Sequence, residues 1–475
     1  MKKYLKYIKT SVIGKVTFVL LIFIMFLGMY CFSQISIYVP TDIFMISLIV
    51  FTIIIVLLVF SHYKIPKIAI VLEIIVCICL SICVLGVQKV NTFTDKVTEI
   101  EEFESVQIVT LKDSNITKEQ SFSDLILAYS QDDNQSYIKS SEILIENKKS
   151  IKIEKPYENM EDAYNDLKNK KIDLLVLTNI GKSDLSIIDE NYTDKIKIIL
   201  SKNYRIESAS TKNVDISQNP FTIYFQGTDL SSKNNINSTG RGDVNILLTV
   251  NPKTKKVNLQ VIPRDLFVYI PCKNANSKLS YSGWWGGVQS SIASIEDKLD
   301  IEINYYAKIN FDGLIDLVDA LDGVKVYSHY TYDAEGYHFT KGYNEVDGEK
   351  ALIFARARKM LPLNERSRGY QQMELIKGIF SKFSQEPTYS YALNIIDTLE
   401  NNFTTNLPKK DFIKAYQLVV DLLPELQTME NHSIEGVYKW HYDEVRTNYY
   451  QYYFYPDSGE LEDVKERIQC ILDGK

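Results

Sequence analysis

Three apolar runs, residues 16–32, 43–60 and 68–87, stand apart from everything that follows them in the chain. Each comes close to the ~20 residues that carry a helix across ~30 Å of hydrocarbon, so the pattern predicts three membrane helices. A cleavable leader would be a single run of about 7–15 apolar residues, which three runs in series do not fit. Residues 1–90 are therefore expected to anchor the chain in a membrane. Beyond residue 95 the pattern is that of an ordinary folded chain. Residues 106–111 and 172–177 read as short buried strands, and Met160, Ala163, Tyr164 and Leu167 give residues 159–168 helical spacing. Residues 95–212 are expected to form a small α/β accessory domain, ending in a Ser-, Asn- and Thr-rich linker at 208–219.

From Phe221 onward strands and helices alternate. Residues 221–227 read as a strand, and Val257, Leu259 and Val261 alternate in another, followed by the turn Pro263-Arg264-Asp265. Phe311, Leu314, Ile315, Val318 and Leu321 fall at helical spacing, Gly323 ends that helix, and residues 324–327 resume as strand. Leu375, Ile376, Ile379 and Phe383 mark an amphipathic helix over 371–383, and the aromatic run 449–455 reads as a terminal strand. Alternation of this kind predicts a layered α/β domain over 219–475, with its core motifs in 221–385 and a C-terminal extension beyond them.

Charge gives the layout a direction. The 475 residues carry 53 Lys+Arg against 60 Asp+Glu, a net −7, yet residues 1–90 net +6. Lys2, Lys3, Lys6, Lys9 and Lys15 precede the first run, the first loop has only Asp42, and the second has Lys64 and Lys67. The positive-inside rule then puts the N-terminus in the cytoplasm and everything after about residue 90 outside. Glu73, inside the third run, is expected near the inner interface, a turn or two from Lys67. The acidic remainder argues against a nucleic-acid partner, because phosphate backbones need an excess of basic charge. Four of the six cysteines lie in the apolar runs, leaving Cys272 and Cys470, too few for a disulfide framework or a structural zinc site. The histidines, His62, His329, His338, His432 and His441, stand away from the other candidate chemistry, which argues against a histidine-based triad.

Arginine placement is the informative signal. Residues 241–368 hold six of the nine arginines, Arg241, Arg264, Arg356, Arg358, Arg366 and Arg368, but only a proportional share of the 44 lysines. Arginine's planar fork grips phosphate or carboxylate in a bidentate way that lysine cannot. Arg356 and Arg358 follow the apolar stretch 351–355, and in a strand that spacing aims both at one face. The alternative is a set of surface ion pairs worth ~0–1 kcal/mol each. Carboxylates alternate with these arginines: Asp229 follows the strand at 221–227, Asp243 lies two past Arg241, and Asp265 follows Arg264. Carboxylates among phosphate-binding arginines hold Mg²⁺ or position the arginines.

At these residues a resemblance becomes specific. Gly240-Arg-Gly-Asp-Val-Asn-Ile-Leu-Leu-Thr-Val-Asn-Pro-Lys-Thr-Lys-Lys and Ile262-Pro-Arg-Asp resemble motifs of the LytR-CpsA-Psr (LCP) family. So do Lys278 before Tyr281, Asn310-Phe-Asp-Gly, Asp347-Gly-Glu-Lys-Ala-Leu, Phe354-Ala-Arg-Ala-Arg and Arg368-Gly-Tyr-Gln-Gln. Three spans and a small module before this domain are similar to the capsule-associated members. The resemblance implies a central β-sheet flanked by helices around a lipid tunnel. It implies an enzyme that moves a glycopolymer, here capsular polysaccharide, from a polyprenyl (pyro)phosphate carrier onto the peptidoglycan of a Gram-positive wall. By match, Asp229 and Asp243 would hold Mg²⁺ (or Mn²⁺). Arg241, Arg264, Arg356, Arg358 and Arg368 would hold the phosphates, with Lys278 and Gln372 nearby. Asp229 or Asp265 would take the acceptor's hydroxyl proton. The accessory domain would be the place for contact with the polysaccharide-synthesis machinery. A non-catalytic polyprenyl-phosphate-binding regulator and a lipid pyrophosphatase stay open as other readings.

Three departures accompany the match. Family members commonly have Arg-Ser-Asp where Gly242 stands between Arg241 and Asp243 here. Ser367 replaces an acid often found before the final arginine, with Glu365 or Arg366 available to compensate. Leu230-Ser231-Ser232 lacks an arginine that some members carry.

Overall fold

The computed structural model describes residues 11–36, 41–98, 101–131, 134–189, 191–206, 212–230, 236–385, 395, 397–429, 431–446 and 450–474. Lys2, Lys3, Lys6 and Lys9, the start of the expected linker at Ser208, and Ser231, Ser232 and Tyr449 lie outside the described residues. The chain divides into two units, one of residues 1–98, 387–400 and 407–418 and one of the remainder.

The first unit is built on α1 (Val12–Ile35), α2 (Thr41–Lys64) and α3 (Pro66–Val97), three helices long and apolar enough to cross a membrane. Pro66 sits at the start of α3, where its missing N–H costs nothing. The last turns of α3 are polar, and Lys96 pairs with Glu400 at 3.0 Å while Lys89 pairs with Asp397. Glu73 is fully buried two turns into α3, with its carboxylate 3.4 Å from His62 Nε2 near the end of α2. The pair lies at the end of the bundle that carries Lys64 and Lys67.

The second unit contains two five-stranded sheets. Strands β1 (Phe103–Leu111), β2 (Ile126–Ser130), β3 (Ile153–Tyr157), β4 (Leu174–Leu177) and β5 (Ile196–Arg205) form the first, in the order β3-β2-β4-β1-β5. Helices α4 (Asn134–Glu146), α5 (Met160–Lys168) and α6 (Asn179–Ile188) accompany it. Asn159 caps α5, accepting from the Asp162 N–H at 2.8 Å, and Tyr164 and Leu167 pack on Val109 and Leu175. Val106, Ile108, Phe122, Ile143 and Val176 form a separate buried cluster.

The second sheet joins β6 (Phe221–Thr228), β7 (Gly242–Asn251), β8 (Lys256–Val261), β11 (Tyr305–Asn310) and β16 (Phe403–Thr405) in the order β16-β11-β6-β7-β8. Only the β6–β11 pair is parallel. Helices α7 (Leu279–Leu299) and α12 (Glu460–Leu472) cover one face, where Tyr224, Leu247 and Tyr306 meet Val288, Ile295, Val464 and Ile468. On the opposite face Phe225 meets Phe380 of α10 (Glu365–Gln385) at a centroid distance of 6.3 Å. Helices α8 (Phe311–Ala320) and α9 (Gly348–Arg356) precede α10, and α11 (Phe412–Thr428), whose residues to Leu418 belong to the first unit, follows it. Short pairs complete the unit: β9 (Phe267–Ile270) with β10 (Ala275–Lys278), β12 (Val324–Ser328) with β15 (Gly342–Val346), and β13 (Tyr332–Ala334) with β14 (Tyr337–Phe339). Strands β17 (Gly436–Tyr442) and β18 (Tyr450–Pro456) form an antiparallel ribbon. The aromatic run is thus a strand, but α12 follows it, so it does not end the chain.

Register brings the candidate residues together. Thr228 pairs with Asn310 and with Gly242, and Val261 pairs with Ile246. The carboxyl ends of β6, β11 and β8 and the amino end of β7 therefore share one edge, where Asp243 of β7 meets the loops carrying Asp229, Arg241 and Arg264. One expectation fails here. Arg356 and Arg358 do not share a strand face, because Arg356 closes helix α9 and Arg358 lies in the turn beyond it. Ala351, Phe354 and Ala355 bury one side of that helix, and Asp347 caps it by accepting from the Lys350 N–H at 2.9 Å.

Candidate active site

A chain of alternating acids and bases crosses the sheet edge. Asp229 Oδ1 accepts from the Arg241 backbone N–H at 2.9 Å, and its Oδ2 lies 3.4 Å from the Arg241 guanidinium. Arg241 Nε and Arg264 NH1 both reach Asp243 Oδ1 at 2.8 Å. Lys278 closes on Asp265 Oδ1 at 3.2 Å, and Arg264 Nε stands 4.0 Å from the same carboxylate. Arg241 also lies over the Trp284 ring, which stacks on Tyr281 at 4.4 Å.

The two central carboxylates are driven apart electrostatically. Burial lifts Asp229 above the usual carboxylate range, an effect opposed by Arg241 and reinforced by the charge of Asp243. Burial acts on Asp243 as well, but Arg241, Arg264 and Arg368 outweigh it and hold that carboxyl below the usual range. Neighbouring carboxylates of this kind, flanked by cations, suit a divalent ion that takes one or two carboxylates plus phosphate oxygens. Among the described residues no cluster of three His, Cys, Asp or Glu side chains could hold a metal by protein ligands alone.

A cavity of about 280 Å³ opens beside Asp243, lined by Arg264, Glu365, Arg368, Gln372 and Tyr438 among others. Glu365 is the organising acid. Its carboxylate takes Arg358 NH1 at 2.7 Å and Arg368 NH2 at 2.5 Å. Ser367 turns inward and accepts from the Leu363 N–H at 3.2 Å, while Arg366 pairs with Glu435. Gln372 donates to the Ala355 carbonyl at 3.3 Å. Arg356 stands apart: it is exposed and lies over the Phe311 ring at 5.2 Å. Gly242 has a steric reason. A Cβ there would fall 2.9 Å from Gln226 Nε2 and 3.0 Å from Asn245 Oδ1, so these amides occupy the space a serine would need.

Two contributors, Ser183 and Asn179, were invisible to motif reading. Glu365 was one of two candidates for its role. Ser183 on α6 donates to Asp229 Oδ2 at 3.0 Å, and Asn179 on the same helix donates to Thr239 at 2.6 Å. Helix α6 of the first sheet thereby supports the acid at the edge of the second.

Three apolar helices, a helix-covered sheet and an arginine–carboxylate chain at its edge define a membrane-anchored α/β protein. Residues 189–469 match the model of the LytR_cpsA_psr family, and the chain belongs to that family. The match begins within the first sheet, before β5. The chain is 28% identical over 312 residues to the polyisoprenyl-teichoic acid–peptidoglycan teichoic acid transferase TagU of Bacillus subtilis, covering 64% of this chain and 97% of that protein. It is 30% identical over 261 residues to TagU of Bacillus licheniformis, covering 55% and 81% respectively. Among solved structures, B. subtilis TagU matches at 27% identity and a TM-score of 0.43, covering 54% of this chain and 97% of that one.

Proposed function

We propose that this enzyme transfers a glycopolymer, capsular polysaccharide in our reading, from a polyprenyl pyrophosphate carrier onto peptidoglycan outside the membrane. The observation that carries this is the Asp243 carboxylate shared by Arg241 and Arg264 beside the Glu365-bound pair Arg358 and Arg368. Such a cluster offers several forks to a diphosphate and carboxylates to a cation, whereas a receptor for lipid phosphate alone needs no paired acids. The relatives' names, transferases acting between a polyisoprenyl-linked polymer and peptidoglycan, support the same class. On the sheet face toward Phe380, Ile223, Phe225, Ala307 and Ile309 remain only half-buried, an apolar surface suited to an isoprenoid tail.

In this reading the acceptor hydroxyl oxygen attacks the phosphorus that bears the polymer. The bond to the lipid-side bridging oxygen breaks, and polyprenyl phosphate leaves with that oxygen. Arg241, Arg264, Arg358 and Arg368 hold the phosphate oxygens and offset the charge that gathers on them in the transition state. Of the two acids expected to take the hydroxyl proton, both are paired with a cation, but burial raises the proton affinity of Asp229, which Ser183 steadies, and this favours Asp229. Asp229 and Asp243 would hold Mg²⁺ (or Mn²⁺), which when bound supplies further charge neutralisation on the diphosphate.

Replacing Asp243 tests the reading. Asp243→Ala is expected to lower transfer by on the order of 10²–10³-fold, as loss of a key electrostatic group does. The folded state should persist by circular dichroism, and co-purified polyprenyl lipid should remain detectable by mass spectrometry. Transfer that persists in this variant or in excess chelator would leave the arginines as the sole binding apparatus.

A further inference from the structure

Beyond the Gly436–Pro456 pair, one face of the β17–β18 ribbon is made of aromatic side chains. Register pairs Tyr438 with Phe454, Trp440 with Tyr452, and Tyr442 with Tyr450. Neighbouring pairs interlock: Tyr438 stacks on Tyr452 at 4.8 Å, and Trp440 on Tyr450 at 5.6 Å. Cross-strand aromatic pairs stabilise a ribbon by about 0.2–1 kcal/mol each, which by itself is a structural reason for them. That reason does not explain their exposure. Phe454 is buried, but Tyr452 is 43% exposed and Trp440, Tyr450 and Tyr442 are 55–61% exposed. On the opposite face Tyr453 and Tyr455 of β18 pack on Phe267 at 5.3 and 5.2 Å, while Val437, Lys439 and His441 of β17 are exposed. A contiguous bare aromatic surface of this kind marks a binding face.

The surface is continuous with the site. The Phe454 N–H donates to the Asp265 carbonyl at 2.8 Å, and Tyr438 and Phe454 line the cavity that contains Asp243 and Arg264. The Tyr438 hydroxyl is buried there without a hydrogen-bond partner. From that inner pair to Tyr442 and Tyr450 the ribbon runs four residues, about 14 Å, the scale of a short oligosaccharide. The aromatic face carries no cation, and Glu435, Glu444 and Asp457 stand exposed in and around the ribbon. A polyphosphate chain would meet no counter-charge on it. Uncharged pyranose rings, whose C–H faces lie flat on aromatic rings and whose hydroxyls seek partners such as Tyr438, fit it.

We infer that the ribbon is a subsite for the acceptor, a β-1,4-linked strand of N-acetylated pyranoses laid along Tyr442, Tyr450, Trp440 and Tyr452 with its leading sugar at Tyr438. This rests on the transferase reading above. The test is calorimetric titration of the full chain in detergent with a β-1,4-linked N-acetylglucosamine oligosaccharide, which carries no charge. Trp440→Ala/Tyr450→Ala should lose about tenfold or more in affinity, as removal of aromatic anchors does. Trp440→Val/Tyr450→Val, which keeps strand-favouring side chains, should lose a comparable factor while the chain keeps its affinity for polyprenyl pyrophosphate. Wild-type oligosaccharide affinity in both variants overturns the inference. So does ribbon-dependent binding of a poly(glycerol phosphate) fragment in place of the oligosaccharide. So too does quenching by brominated lipid, in reconstituted bilayers, of the fluorescence that Trp440→Phe removes, which would make the ribbon a membrane contact. Because binding is read without turnover, ribbon-dependent binding by a chain that fails to transfer would sink the transferase reading alone.

Discussion

At the scale of single residues, the two arginines of Phe354-Ala-Arg-Ala-Arg have different surroundings. Arg358 is partly buried and tied to Glu365, which also takes Arg368. Arg356 is exposed over Phe311, where a cation–π contact is worth only about 0.5–1 kcal/mol and lysine can also make it. Arg→Lys keeps the charge and loses the fork. Arg358→Lys should therefore lower kcat/KM roughly tenfold to a hundredfold, the worth of a charge-assisted hydrogen bond, and Arg356→Lys less. Equal losses in the two variants would show that both side chains grip the diphosphate alike. Their spacing marked both as candidates, but the secondary structure read from that spacing was wrong. Two apolar–Arg repeats look like alternation in a strand, although Ala351, Phe354 and Ala355 fall at i, i+3 and i+4 and Asp347 supplies a cap. The helical period was present and the shorter one was read.

At the scale of elements, α7 shows how the two sheets of the second unit are joined. The helix breaks at Gly286 and Gly287, where Gly287 takes φ +63°, and a Cβ there would collide with Glu102. Glu102, from just before β1, accepts from the Val288 N–H at 2.7 Å and so caps the second half of the helix. Its other oxygen takes the buried Lys308 ammonium of β11 at 2.7 Å. Removing one partner of a buried pair strands the other, at about 3–5 kcal/mol. Glu102→Ala should thus lower the melting temperature of the chain in detergent by several degrees, and Glu102→Ala with Lys308→Met should recover part of the loss. A single variant that melts like wild type would mean that Lys308 finds another partner. Such joints lie beyond sequence reading because their partners are remote: 206 positions separate Glu102 from Lys308, and 46 separate Ser183 from Asp229. Elements with strong periodicity were legible, among them β6, β8, α5 and α8, the last ended by Gly323 at φ +75°. Strand β3 was not, because it is an exposed strand at the sheet edge that carries Pro156, and β5 hides its pattern among lysines.

At the scale of the whole molecule, a lipid-borne donor and a wall acceptor require a chain held at the membrane with its site on the wall side. The three helices meet the first demand by length and apolarity. Lysine asymmetry addresses the second: Lys15 stands at the start of α1, the only charge around the α1–α2 connection is Asp42 in the first turn of α2, and Lys64 and Lys67 flank the α2–α3 turn. By the same rule, three crossings from a cytoplasmic start would leave both sheets outside, which is the orientation we propose. The burial of Glu73 against His62, at the lysine-bearing end of the bundle, is compatible with that sense, since an ionisable pair is cheapest near an interface. Ser201 on β5 is exposed and accepts a reporter with little change in volume. Ser201→Cys, in a chain with Cys272 and Cys470 replaced by serine, should react with a membrane-impermeant maleimide on intact cells. Reaction confined to lysed cells would put both sheets in the cytoplasm, away from any wall acceptor, and the transferase reading would fall with the orientation.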